Sequence, residues 1–305
     1  MQYGKRPEER TVEELLDGGI IVIDKPSGPT SHQVAAWISA LLNRKCAHGG
    51  TLDPGVTGVL PVGTGISVRV MDALHYLDKE YVCLMAFHSD ISRADVERLF
   101  SEFTGEVFQV PPVRSAVKRE RRIRRIFSLK LIEMDGRRCL FSARCQAGTY
   151  IRTLCRDLGE AACTGGQMEE LRRVRSGPFD DQDAVTLQQL EDALFYYKEG
   201  DETELRRMLR PYESLLLSFP RIVLKDSAVD SICRGADLTV RGIASISGKI
   251  VRNEVVSLFT QKQEGVALAR ALMTSENMQN VATGIACDTL RVFMKPGTYP
   301  RFSNQ

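Results

Sequence analysis

Apolar positions along this chain of 305 residues change texture near residue 218. Before that point, extended apolar runs alternate with stretches of three-to-four spacing, the periods of strand and helix respectively. Gly19-Ile20-Ile21-Val22-Ile23-Asp24 reads as a strand that ends in the turn Lys25-Pro26-Ser27-Gly28-Pro29. Thr30 or Ser31 then caps a helix whose apolar face is Val34, Trp37, Ile38, Leu41 and Leu42, with Trp37 expected in the core. A glycine-rich stretch from Gly49 to Gly65 precedes a strand over Glu80 to Phe87. Ser92 and Asp95 form a capping pattern ahead of Val96, Leu99, Phe100 and Phe103.

Asp135-Gly136 suits a hairpin turn between strands over Leu129 to Met134 and Arg138 to Cys145. Helices are expected from about Tyr150 to Ala162, and after Thr186, where Gln189 completes a capping box and Leu187, Leu190 and Leu194 point inward. The mixture predicts an α+β domain over 19–218 with a mixed, largely antiparallel sheet. The arm 1–18 has no core of its own and must pack elsewhere or stay mobile.

From 219 to 305 the pattern becomes short apolar runs punctuated by glycine: Ile222–Leu224, Asp237–Val240, Lys249–Val251, Val255–Phe259, Gly265–Leu268 and Thr289–Phe293. That texture predicts a small β-barrel with one short helix at Asp226–Cys233.

Charge changes the picture only locally. Lysines and arginines number 41 against 39 acids, for a net charge of +2. Yet Arg114, Lys118, Arg119, Arg121, Arg122, Arg124 and Arg125 crowd around the single acid Glu120, a density suited to a phosphate backbone or, more blandly, to a solvated face. The eight cysteines form no C-x-x-C pair, so neither a zinc site nor a disulfide framework is signalled, and reduced, mostly buried thiols are expected. No apolar run suits a membrane span or a secretory signal, which makes a cytoplasmic location the default.

The candidate chemistry centres on Asp53 in Gly49-Gly50-Thr51-Leu52-Asp53-Pro54. Pro54 biases it toward an extended backbone, although by local chemistry alone it reads as a turn aspartate. Arg152, in Gly148-Thr149-Tyr150-Ile151-Arg152, sits at a loop-to-helix junction and could hold that carboxylate ionised through a two-pronged pair. Tyr81 could stack on a base, against the blander reading of a core tyrosine. Asp24 fits better as support for the turn at Lys25, and His48 as a hydrogen-bonded structural group, than as catalysts. No second acid near Asp53 in sequence completes a glycosidase pair.

In order along the chain, Asp24 to Ser31, Gly50 to Leu60, Lys79-Glu80-Tyr81, Pro111 to Lys118, Gly148 to Arg152 and Leu171 to Gly177 resemble the motifs of TruB-type pseudouridine synthases, in their archaeal and eukaryotic dyskerin-like branch. Lys225 to Asp230, Arg234 to Leu238 and Val292 to Arg301 resemble a PUA domain, an RNA-binding module. The resemblance implies isomerisation of uridine to pseudouridine, with Asp53 acting on the ribose, either at C1′ as nucleophile or at C2′ as base. It implies Tyr81 stacked on the target and Arg152 paired with Asp53. Leu171 and Tyr150 would line the base pocket, and Lys25 would support the site. RNA contacts fall to Arg114, Lys118, Arg121, Arg122, Arg234 and Arg301.

Implied partners are an H/ACA guide RNA, ribosomal RNA and, as a further substrate, the T-loop of transfer RNA. Three small proteins complete the set: a zinc-ribbon-like subunit, a small β-barrel subunit and a kink-turn binder. A stand-alone transfer-RNA enzyme is the alternative, and a non-catalytic RNA scaffold a more distant one. No metal or organic cofactor and no membrane is implied. The chain departs from the family pattern at Ala47, Phe127, Gln167, Arg252-Asn253 and Gln261 to Gly265.

Overall fold

A computed structural model describes residues 3–110 and 120–301. Arg114, Lys118 and Arg119 lie outside the described residues.

The strands of the first sheet are β1 (Gly19–Lys25), β2 (Cys46–His48), β3 (Thr57–Thr64), β4 (Lys79–Phe87), β5 (Gly105–Gln109), β6 (Arg122–Asp135), β7 (Arg138–Cys145), β8 (Gly166–Ser176), β9 (Phe179–Asp180) and β10 (Arg210–Pro211). Their order is β10-β1-β3-β8-β4-β7-β6-β5, with β2 on β3 and β9 on β8, and only β3 with β8 runs parallel. The expected α+β class with a mixed, largely antiparallel sheet is what forms. β1 is buried along almost its whole length, Ile21 and Ile23 in one apolar cluster and Ile20 and Val22 in another, which explains its unbroken apolar run.

Helices α1 (Val12–Leu16), α2 (Ser31–Leu42), α3 (Arg93–Glu102), α4 (Ile151–Ala161), α5 (Leu187–Lys198), α6 (Thr203–Met208) and α7 (Glu213–Leu216) accompany this sheet. Thr30 with Gln33 and Thr186 with Gln189 form capping boxes at α2 and α5, satisfying backbone donors that a helix start leaves open. Trp37 is a correction: it is 47% exposed, because the buried stripe of α2 is Val34, Ala35, Ile38 and Leu42. Ala35 completes that stripe, which rotates the helix so that Trp37 faces outward.

Several strands escaped the hydrophobic pattern, among them β3 within the glycine-rich stretch, β5, the start of β6, and β8. β6 starts seven residues before the expected Leu129 and absorbs Arg122, Arg124 and Arg125. β8, at the centre of the sheet, carries Glu169, Glu170, Arg172, Arg173 and Arg175 and shows no apolar alternation. Three of its charges are met by partners on other elements: Arg172 by Asp24 and Asp181, Arg175 by Glu80, and Glu169 by Arg138.

The second sheet comprises β11 (Arg221–Leu224), β12 (Leu238–Thr239), β13 (Ile243–Ser247), β14 (Val255–Phe259), β15 (Gly265–Ala271) and β16 (Ile285–Val292), with α8 (Asp226–Cys233) and α9 (Ser275–Asn280). The order β12-β16-β15-β14-β11-β13 leaves β12 and β13 at its ends, so the expected barrel does not close as a ladder among the described residues. The strand expected at Lys249–Val251 is instead β13, a few residues earlier, while Ile250 is buried in an irregular segment.

Ile20, Val22, Val59, Leu215, Leu216 and Phe219 share one buried cluster with Phe259, Leu268 and Phe293, an apolar seam between the two sheets. The N-terminal arm stitches across it. Val12, Leu15 and Leu16 bury beside β1 and α2. The Lys262 ammonium donates to the Tyr3 and Gly4 carbonyls, and the Lys5 amide donates to Glu264 at 3.0 Å. The departure from the family pattern at Gln261 to Gly265 is thus the hairpin that holds the arm.

Candidate active site

The loop carrying Asp53 is fixed from below. Lys25, fully buried at the end of β1, donates through Nζ to the carbonyls of Pro26 (2.9 Å), Pro54 (3.0 Å) and Val56 (2.8 Å). The Ser31 hydroxyl accepts from the Leu52 amide at 2.8 Å and donates to the Leu52 carbonyl at 3.0 Å. The Gly28 amide donates to the Pro54 carbonyl at 2.9 Å. Burial pulls the Lys25 ammonium below its ordinary value, and the nearby Asp53 carboxylate opposes that shift. Lys25 therefore braces the loop from beneath.

Leu52 and Ile151, the residues just before Asp53 and Arg152, are buried in one cluster that also contains Tyr81, and Leu171 packs against it. Burying those neighbours turns the two charged side chains outward. Arg152 Nη2 donates to Asp53 Oδ2, and the side chains are 49% and 56% exposed. A single charge-assisted contact replaces the two-pronged pair, and the group opposing Asp53 is a guanidinium rather than a second acid.

Tyr81 is 9% exposed, so it is in large part the core tyrosine of the blander reading, yet its phenol lies within the field of Asp53. Burial raises its pKa, and the Arg173 guanidinium works against that rise. Tyr150 caps α4, exchanging backbone hydrogen bonds of 2.9 and 3.1 Å with the buried Gln109 side chain. Gln109 thereby sets where α4, and hence Arg152, begins.

Two further expectations need correction. Asp24 accepts from Arg172 of β8 at 2.8 Å instead of serving the turn at Lys25, because β3 sets β8 close beside β1. His48 Nδ1 is buried without a hydrogen-bond partner, its ring standing edge-on to His32 at 5.7 Å. Burial first, and the neighbouring His32 and Arg173 next, lower its pKa.

A cavity of about 380 Å³ lined by Asp24, Lys25, Thr57, Arg172 and Thr186 lies beside this loop and does not include Asp53. The Asp53–Arg152 pair stands in the open instead, an arrangement suited to a nucleotide extruded from a large polymer.

Family models match nearly the whole chain. Residues 39–151 match the N-terminal domain of TruB family pseudouridylate synthases, and 152–217 match the C-terminal domain of tRNA pseudouridylate synthase B. The chain belongs to the TruB family of pseudouridylate synthases. Residues 220–293 match the PUA domain, and 1–35 match the DKCLD domain. Over 301 residues the chain is 51% identical to "Probable tRNA pseudouridine synthase B" of Methanocaldococcus jannaschii, covering 98% of this chain and 90% of that one. Its counterpart in Methanosarcina barkeri is 48% identical, with 98% and 89% covered.

Among solved structures, a Cbf5-Nop10-Gar1 complex contains a chain 44% identical, with a TM-score of 0.93 over 99% of this chain and 92% of that one. An H/ACA RNP bound to a substrate RNA containing 2'-deoxyuridine contains another, 43% identical, with a TM-score of 0.89 over 98% and 92%.

The RNA-contact candidates separate in space. Arg121 stacks on the exposed ring of Phe108 at 4.9 Å, and Arg122 opens β6. Arg234 and Arg301 both lie in the field of Asp230 at α8, with Arg234 Nε donating to it at 2.9 Å. Arg173 and Gln109 were not among the sequence candidates, and Ser31 was read only as a possible helix cap. Arg173 lay inside a quoted motif, but nothing in its spacing marked it as buried.

Proposed function

We propose that this TruB-family enzyme isomerises uridine to pseudouridine as the catalytic subunit of an H/ACA-type guide ribonucleoprotein, with Asp53 as the group acting on the ribose. The observation that carries the assignment of Asp53 is its pairing with Arg152 at an open surface, above a buried tyrosine and a loop fixed by Lys25 and Ser31. In the reaction the C1′–N1 bond breaks, the freed uracil turns, and a C1′–C5 bond forms. The C5 proton is then lost and N1 gains one, so the product is an isomer. Asp53 opens the sequence by attacking C1′ or by removing the C2′ proton. Arg152 holds the carboxylate charged and aimed. Leu171 and Tyr150 border the base, and the PUA domain and the basic β6 strand hold RNA.

Support for the guide complex comes from likeness to the chains in the Cbf5-Nop10-Gar1 complex and the H/ACA RNP. The partners then include a guide RNA and small proteins like those in that complex. Action on transfer RNA without a guide is a second reading, favoured by the name of the Methanocaldococcus jannaschii relative. Release of tritium from C5-labelled uridine separates the two. Ribosomal-RNA targets should release it only with the matching guide and partner proteins. Turnover of transfer RNA alone, with no response to any guide complex, would remove the guide assignment.

A further inference from the structure

Below Asp53, Arg173 of β8 is 1% exposed, the largest fully buried side chain among the described residues. Its Nε donates to the Val59 carbonyl at 2.8 Å and its Nη2 to the Gly50 carbonyl at 3.0 Å. Tyr81 lies directly opposite it in the β4–β8 register, so the guanidinium is a charged neighbour that favours ionisation of the Tyr81 phenol against the effect of burial.

The neighbouring arginines on the strand are neutralised, Arg172 by Asp24 and Asp181 and Arg175 by Asp78 and Glu80. Arg173 has no carboxylate ion-pair partner among the described residues; the Val59 and Gly50 carbonyls take its hydrogen bonds, and Tyr81 is its opposite neighbour on β4. A guanidinium stays protonated across the working pH range, and burying one without a counter-ion is costly. Lys79 and His48 share the same positive region. Packing alone would be served more cheaply by an apolar side chain, whereas a fixed cation against a phenol favours the phenolate.

We infer that Arg173 is a positioning residue for the isomerisation, holding the Tyr81 hydroxyl and the Gly50 carbonyl in fixed relation and stabilising negative charge on the Tyr81 oxygen. Gly50 leads by three residues to Asp53, so one side chain ties the loop that acts on the ribose to the tyrosine that faces the base. In the last step the C5–H bond breaks, its electron pair restores the C5=C6 double bond, and the proton passes to the ionised Tyr81 oxygen and on to solvent. N1 takes a proton from solvent, and no further reactant is needed. The inference rests on the proposed reaction.

The test compares the unaltered chain with Arg173→Met, Arg173→Lys and Tyr81→Phe, in the full complex and with the same RNA. Arg173→Met should lower kcat with KM unchanged and move the alkaline rise of turnover upward by about one to three pH units. Arg173→Lys, which keeps the charge but not the planar fork, should recover the pH profile but only part of kcat. Carbon-13 labelling at tyrosine Cζ should show Tyr81 ionising at higher pH in Arg173→Met.

Should Arg173→Met fail to fold, nitrogen-15 arginine spectra of the natural chain decide the matter. Tyr81→Phe, which removes only a hydroxyl, should shift the Arg173 guanidinium resonances. An unmoved Arg173 signal there, or an unmoved pH profile and Tyr81 titration in a folded Arg173→Met, overturns the inference. Absence of pseudouridine from the unaltered chain with every RNA would instead overturn the proposed reaction, since the arginine–tyrosine spectra are read without turnover.

Discussion

Arg152, in the first turn of α4, is ion-paired to Asp53, 99 residues earlier in the chain, and both remain about half exposed. The pair is assembled by two elements that bury the preceding residue, Ile151 and Leu52, in a common core. Asp53→Asn keeps the shape but loses the charge needed for attack or proton removal. Turnover should fall by at least roughly 10²- to 10⁴-fold with RNA binding retained. Arg152→Lys should also fail, because an ammonium does not reproduce the directed guanidinium contact. Product mapping on a matched RNA checks both, and substantial pseudouridine from Asp53→Asn would falsify the role given to that carboxylate.

Lys25→Met takes the donor from the Pro26 and Val56 carbonyls, while the Pro54 carbonyl keeps the Gly28 amide. Each buried acceptor left unpaired costs about 1–3 kcal/mol, so a loss of at least that size is expected in urea unfolding. Turnover should fall while RNA affinity holds, since the loop loosens without losing a contact to RNA. An equal loss of affinity would point to a direct RNA contact for Lys25 instead.

Stability should pass through a maximum between pH 7 and 9. Burial pulls Lys79 from 10.5 down to about 7, so between those values the unfolded chain binds the additional proton and stability rises with pH. The slope is at most about 1.4 kcal/mol per pH unit for one group. Burial pushes the thiols of Cys139, Cys145, Cys233 and Cys287 from 9.0 up to about 12. Above pH 9 the folded chain therefore holds the additional protons and stability falls. Urea midpoints across the neutral and alkaline range should show the peak, and Lys79→Met should flatten its rising side only.

Arg10 of the N-terminal arm meets Glu213 of α7 in a two-pronged pair at 2.7 and 2.8 Å, and the same carboxylate accepts from the Gly265 amide of β15 at 3.1 Å. Three parts of the chain converge on one buried acid. Arg10→Met leaves that acid without its counter-ion, at an expected cost of about 3–5 kcal/mol. Adding Glu213→Gln should return part of the loss. Additive losses in the double variant would show that Arg10 acts by another contact.

Much of the fold was legible because its elements obey one rule each. β1 is apolar from Gly19 to Ile23 because it is covered on both faces, and α2, α3 and α5 announce their starts through Thr30, Ser92 and Thr186. β8 was illegible for the opposite reason: Arg172 and Arg175 are neutralised by acids from β1, β4 and the segment after β9, and Arg173 is buried against backbone carbonyls, so no local pattern marks it as central. Trp37 was misplaced because a three-to-four spacing fits two adjacent stripes of one helix, and only contact with β1 and α5 selects between them.

The sequence by itself determined the chemical vocabulary of this protein: an aspartate before a proline, an arginine at a helix start, a tyrosine in a strand, and their order along the chain. Taken locally, Asp53 remained a turn aspartate. The family resemblance already paired Arg152 with it and placed Lys25 beneath the site; tertiary structure alone decided which atoms make those contacts, that Ser31 joins Lys25 in holding the loop, and that Arg173, without a carboxylate partner, lies between that loop and Tyr81. The reason is physical: burial and charge pairing depend on distances between residues far apart in the chain, and those exist only once the strands have been paired.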